Sequence, residues 1–193
     1  LDLNLVADFP IDLSGKSGFE NSANTLFLQP ILMERYLSAV DKAVEAVVPL
    51  YSSPSADSPI FVAWPSGEIT EREAARKIIG RFMLRAFRRP PTQDEAEELH
   101  GVYARSRKAG ESFQMAIRRA LGAALVSPAF LLKSEIAQNT DESYQVSDYE
   151  LACRLSYYLW ASMPDDELFQ LAAEKRLAKS GVLAEQVTRM LAD

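Results

Sequence analysis

Apolar and polar positions along this chain follow a helical rhythm over most of its length. Between Pro30 and Val48, the residues Ile31, Leu32, Tyr36, Leu37, Val40, Val44 and Val47 recur at spacings of three and four. That is the period of an amphipathic helix, and Pro49 ends it. From Thr70 onward the rhythm is also punctuated. Thr70 with Glu73, Thr92 with Glu95, and Ser147 with Glu150 each match a capping box, in which the hydroxyl accepts from a free amide and the carboxylate reaches back. These boxes predict helices over 71–89, 93–108 and 148–160. Further periodic stretches predict helices over 112–126, 165–175 and 181–192, with a short helical turn after Pro128.

The rhythm fails in two places. Residues 1–24 carry Pro10, Gly15 and Gly18 among Asp, Asn and Ser, and read as a loop-rich N-terminal segment. Residues 49–69 carry Pro49, Pro54, Pro59 and Pro65 and read as a connector. Within it Ile60-Phe61-Val62-Ala63-Trp64 is a candidate short strand without an evident partner. The predicted fold is all-α, a bundle of about six to eight helices with short connections. Its expected divisions are a first segment over 1–48, the connector over 49–69, a helical domain over 70–138, and part of a further helical domain over 139–193.

Composition narrows the function classes. With 193 residues, 48% apolar and 25% charged, the chain has room for a sizeable core. A net charge of −6 opposes non-specific binding to nucleic acid or to an anionic membrane surface. No apolar run reaches the roughly 18 residues that a bilayer-spanning helix needs. Leu1-Asp2-Leu3-Asn4 lacks the basic start of a signal peptide, as a processed chain also would. Cys153 and His100 are single in the chain. An internal disulfide, a cysteine-rich zinc site and a Cys-x-x-Cys-His haem attachment within it are thereby excluded.

The stretch Tyr157-Tyr158-Leu159-Trp160-Ala161-Ser162-Met163-Pro164-Asp165-Asp166-Glu167-Leu168 is the most chemically suggestive. Its three carboxylates suit the start of a helix, with Pro164 in the first turn and Asp165, Asp166 and Glu167 facing the positive end of the dipole. The helix before it is apolar nearly all round after its first turn, and Arg154 is its only charge there. This predicts a covered helix with a partner for the guanidinium, Glu150 one turn earlier or Asp165 or Asp166 beyond. Arg154, Asp165, Asp166 and Glu150 are therefore the candidates for a functional cluster, with an internal ion pair expected and anion binding the alternative.

Other motifs are weaker. Lys77, Arg81, Arg85 and Arg88, with Arg89, form a basic helix face. The expected arrangement is a solvated face pairing with the acidic start of the next helix across Pro90-Pro91, not a nucleic-acid stripe. His100 is isolated from any nucleophile that spacing can identify, and Cys153 reads as a small buried side chain. The calcium-loop template laid on Asp12 meets Ser17 where glycine is needed and Ala23 where glutamate is needed. Ser14-Gly15-Lys16-Ser17-Gly18 lacks the upstream glycine of a phosphate loop.

Several phrases carry a family resemblance. Ala7-Asp8-Phe9-Pro10, Gly18-Phe19-Glu20-Asn21 and Leu28-Gln29-Pro30 resemble one planctomycete domain of unknown function. Arg85-Ala86-Phe87-Arg88-Arg89-Pro90 with Ala124-Leu125-Val126-Ser127-Pro128-Ala129-Phe130-Leu131 resembles a second. Tyr149-Glu150-Leu151-Ala152-Cys153-Arg154-Leu155-Ser156-Tyr157-Tyr158-Leu159-Trp160 with Met163-Pro164-Asp165-Asp166-Glu167-Leu168 resembles the start of a third. Together they resemble the large planctomycete-type exported proteins that string these domains together. The resemblance implies a piece of a longer polypeptide in the periplasm or outside the cell. It also implies haem in a separate upstream cytochrome c module, with no cofactor in this chain. Other domains of the same polypeptide are the implied partners, and polysaccharide a further one. The family often carries cysteines near Phe61-Val62-Ala63-Trp64 and near Ala74-Ala75; this chain has neither, which leaves packing to hold the connector. The expected function is a non-catalytic scaffold or interaction module. The alternatives are part of an enzyme site completed downstream, or a glycan groove that Trp64, Trp160 and Tyr51 would have to line together.

Overall fold

The computed structural model describes residues 30–48, 60–132 and 144–192. Among them are eight helices and no strand: α1 (Pro30–Val47), α2 (Glu71–Phe87), α3 (Gln93–Lys108), α4 (Phe113–Val126), α5 (Pro128–Leu131), α6 (Asp148–Trp160), α7 (Asp166–Ala173) and α8 (Val182–Ala192). The all-α expectation holds. All three capping boxes form, with Thr70, Thr92 and Ser147 accepting from the amides of Glu73, Glu95 and Glu150. The expected loop-rich segment over 1–24 lies outside the described residues.

The helices build two apolar cores. The larger is centred on α4, which touches α1, α2, α3 and α5. Ala116, Ala120 and Ala124, one turn apart on one side of α4, are fully buried, so neighbouring backbones approach closely there. Ile78, Ile79 and Met83 of α2 and Ile117 and Leu121 of α4 fill the interior. α1 is fastened across α4 by polar contacts as well. Tyr36 donates to the Leu125 carbonyl at 2.6 Å. Arg118 donates to the carbonyls of Val48 at 2.5 Å and Glu45 at 3.3 Å, acceptors that the end of α1 leaves without intrahelical donors. Where α2 meets α3, Glu71 accepts from Tyr103 at 2.5 Å and from Arg107 at 2.6 and 2.9 Å.

The candidate strand at 60–64 is irregular backbone instead. Among the described residues no strand lies beside it to satisfy its amides, and the segment is held by its rings. Phe61 lies 5.3 Å from Trp64, and Trp64 meets Phe113 edge-on at 5.6 Å. Tyr103 closes the cluster at 6.0 Å from Phe113.

The smaller core joins α6, α7 and α8 through Ala152, Leu168, Ala172, Leu177 and Met190. Asp148 accepts from the amides of Leu177 and Ala178 at 2.7 and 3.3 Å, which anchors the turn before α8 to the start of α6. The expectation that α6 is covered nearly all round is corrected here. Only Ala152 and Ser156 of this helix are buried, while Arg154 and Tyr158 are exposed, Tyr158 at 86%. Both pairs are spaced by four residues and offset from one another by two, so Ala152 and Ser156 mark the inward side and Arg154 and Tyr158 the outward one, with Leu151, Leu155, Leu159 and Trp160 half-buried against the core between them. Pro164 is also placed differently from expectation. It is buried ahead of the N-cap Asp165, and α7 starts only at Asp166.

Two substitutions test this packing by urea unfolding. Ala120→Leu should destabilise by about 1–3 kcal/mol, because α4 has no space for the added carbons. Tyr158→Ala should stay within about 0.5 kcal/mol of the parent.

Candidate functional site

The run Arg85-Ala86-Phe87-Arg88-Arg89-Pro90-Pro91 forms the joint of the molecule. Pro90 disfavours helical backbone at Arg89, so α2 stops earlier than the expected residue 89. It ends at Phe87, and Arg88 takes the left-handed conformation with φ 58° and ψ 18°. That conformation costs an L-residue roughly 1–2 kcal/mol, and glycine is the usual occupant. Here the side chain supplies the compensation.

Arg88 is 8% exposed. Its Nη2 donates to the carbonyls of Phe130 at 2.9 Å, Ala129 at 3.2 Å and Leu132 at 3.3 Å. These carbonyls close the short helix α5, whose last acceptors have no intrahelical donors. The guanidinium also lies 5.8 Å from the centroid of the Phe130 ring. One cation thus satisfies the end of α5 while its own backbone turns the chain out of α2. From the other side, the Cys153 thiol of α6 approaches the Arg88 carbonyl at 3.6 Å.

The two flanking arginines have separate partners. Arg89 makes a two-pronged ion pair with Glu95 at 2.9 and 2.8 Å, across the Pro90-Pro91 turn. This is the expected pairing with the acidic start of the next helix. It holds the Glu95 carboxyl down to about 2, chiefly through the Arg89 hydrogen bonds, against the cost of burial. Arg85 reaches instead to Asp166 at the start of α7, at 2.5 Å. With Asp166 80% exposed, that contact orients the two units but adds little stability. Beside it lies a groove of about 260 Å³ lined by Ile60, Phe82, Leu125, Phe130 and Arg85, with Met163 arriving from the loop ahead of α7.

The sequence-derived candidates have distinct positions. Glu150 closes the capping box of α6 by accepting from the Ser147 amide at 2.7 Å. Asp165 caps α7, accepting from the Leu168 amide at 2.9 Å, and pairs with Arg189 of α8 at 2.7 Å. Asp166, its neighbour in sequence, points the other way to Arg85 on α2. Arg154 lies on the exposed side of α6. The two described tryptophans sit in separate cores. Trp64 packs on Phe113, while Trp160 donates to the Met190 carbonyl at 2.9 Å and carries Arg189 at 5.5 Å from its ring. Tyr51, like Glu20 and Asn21, lies outside the described residues. Among the described residues no three of His, Cys, Asp and Glu gather as metal ligands would, and no helix is long and apolar enough to cross a membrane.

Sequence reasoning missed Arg88 as the pivotal arginine. The arginine pair directly before Pro-Pro marks where the helix must end, but the carbonyls that Arg88 serves lie in α5, about forty residues on, where local spacing does not reveal them.

Three family models match the chain in succession. PSD3, a protein of unknown function (DUF1587), matches residues 1–49; PSD5, a protein of unknown function (DUF1595), matches residues 74–135; PSD4, a protein of unknown function (DUF1592), matches residues 146–193. All three are planctomycete-type domains of unknown function. No curated protein and no solved structure matches the chain.

Substitution at Arg88 should separate its two roles. Arg88→Ala is expected to cost about 2–3 kcal/mol in urea unfolding, because buried carbonyls lose a charged donor. Arg88→Gly should recover roughly 1 kcal/mol of that by relieving the left-handed backbone. The Glu95 pair predicts a pH dependence. Its carboxyl is depressed when folded, so the stabilisation is complete above the unfolded value of about 4.3 and fades as pH falls toward about 2. Glu95→Gln should flatten that part of the acid limb in a series of unfolding curves.

Proposed function

We propose that this chain is a non-catalytic helical scaffold, an interaction module that sets the spacing of neighbouring domains in a larger exported polypeptide. The supporting observation is the placement of Arg88. A left-handed arginine backbone and the most buried guanidinium of the described residues are used together to dock elements of the protein on one another. Arg85, Arg89 and Asp165 are likewise committed to holding one helix against another. Three planctomycete-type domains in succession agree with a modular polypeptide.

On this reading the haem of such a polypeptide belongs to a separate upstream cytochrome c module, and the whole protein works in the periplasm or outside the cell. Its other domains are the chain's partners, with polysaccharide a partner of the assembly. A second reading, part of an enzyme site for polymer breakdown completed by downstream domains, draws on the outward face of α6, where Arg154 and Tyr158 are open to neighbours.

Substitutions in the full-length polypeptide distinguish the two. The scaffold reading expects Arg154→Ala and Asp166→Asn to leave turnover per folded molecule within about twofold, while Arg88→Ala lowers Tm by several degrees. A loss of turnover of about a hundredfold in Arg154→Ala at unchanged Tm would replace the scaffold with the enzyme-site reading.

A further inference from the structure

A second cluster of cations lies away from the joint, where the N-terminal half of α2 runs beside α3. Two helix faces meet there around a cleft of about 550 Å³. Arg72 and Arg76, one turn apart on α2, form one wall, and His100, Tyr103 and Arg107 of α3 form the other. Ala75 and Ala104 lie among them and leave the space open, since neither side chain extends beyond Cβ.

The charges lining this cleft do not balance. Glu71 is its one carboxylate, and Arg107 and Tyr103 engage it. Glu73, the other acid of the first turn of α2, is held by Thr70 in the capping box and feels Arg76 only through space. Arg72 and Arg76 form no ion pair among the described residues. Arg72 also lies in the first turn of its helix, where the dipole is unfavourable to positive charge. An excess of positive charge at the positive end of a helix, around an open cleft, is the arrangement that an anion relieves.

We propose that this cleft is a binding site for a tetrahedral oxyanion, such as a phosphate or sulfate group. Its arginines approach from two helices. A tetrahedral dianion presents oxygens to both walls at once, whereas a carboxylate matches a single planar guanidinium with one edge. The volume exceeds that of the anion, so the group is accommodated as free inorganic anion or as the ester of a small molecule.

His100 supplies the means of testing this, because it is the single histidine of the chain. Its pKa is lowered by burial and then by Arg76 and Arg72. The groups around it are those two arginines on α2 and Tyr103 and Arg107 on its own helix, with Glu71 opposite. An anion between the arginines would screen that repulsion, so binding must raise the pKa of His100, and protonation must in turn strengthen binding.

The experiment follows the His100 imidazole resonances of the 193-residue chain during titration with inorganic phosphate at constant ionic strength. Saturable shifts with an upward displacement of the His100 pKa are expected. The pair Arg72→Gln with Arg76→Gln should weaken phosphate binding by about tenfold or more. Arg81→Gln, an exposed arginine elsewhere on α2, should leave it unchanged. Ala104→Glu gives a second test, placing a carboxylate in the cleft with both arginines intact, and should abolish the shifts. Saturation by sulfate as well as phosphate would support the general oxyanion site, and saturation by phosphate alone would narrow it to phosphate. Equal responses to phosphate, acetate and chloride would overturn the proposal, as would a phosphate response unaltered in the double variant.

Discussion

The contact on which the arrangement depends is the buried guanidinium of Arg88 on the carbonyls that close α5. Two chain ends meet there, and each is incomplete without the other. α2 must stop before Pro90, which forces a left-handed residue; α5 is too short to satisfy its own acceptors. Arginine meets both demands because its donors lie at the far end of a long side chain, well away from the backbone that turns. Glycine would accept the turn more readily but could not reach across to Ala129, Phe130 and Leu132. The identity of this residue reflects a balance between backbone strain and a charged donor buried among carbonyls, with the second outweighing the first.

From that joint the neighbouring charges divide by direction. Arg89 faces forward across the proline turn to Glu95 and fixes the angle at which α3 leaves. Arg85 faces outward to Asp166, and the Cys153 thiol lies against the Arg88 carbonyl, so the smaller core meets the larger at the same point. Within the smaller core Asp165 does for α7 what Arg88 does for α2. It serves a helix end with one oxygen and a neighbouring helix with the other. Polar groups that span a helix terminus and a tertiary contact recur in this fold, at Arg118 on α1 as well as at Arg88 and Asp165. The recurrence follows from its short connections, which place helix ends beside the flanks of other helices.

What was legible in the sequence was local. The three capping boxes formed because hydroxyl and carboxylate lie within four residues of one another, so no tertiary knowledge is needed to pair them. The helical period over 30–47 was readable for the same reason. The cover of α6 was misjudged because periodicity finds an apolar face without showing whether another element covers it. The fully buried positions of α6 proved to be small Ala152 and Ser156, with its leucines half-buried beside them and Arg154 and Tyr158 exposed. Asp165 and Asp166 were read as equivalent dipole partners, yet Asp165 is the extended N-cap residue and Asp166 the first helical one, and they reach different helices. The candidate strand failed for the complementary reason. Its apolar character was real, but Phe61 and Trp64 use it to pack on Phe113, and among the described residues there is no strand to form a ladder with it.

A net acidic chain that concentrates arginine on one helix must separate the roles of those arginines by position. At the C-terminal end of α2, positive charge is favoured by the dipole and finds carbonyls and carboxylates within reach, so Arg85, Arg88 and Arg89 are consumed by the fold. At the N-terminal end the same helix repels positive charge, and Arg72 and Arg76 contribute no ion pair among the described residues. The dipole alone would favour an acid at position 72, as it does at Glu71 and Glu73. The asymmetry along one helix therefore separates cations that hold the structure from cations that form no ion pair among the described residues.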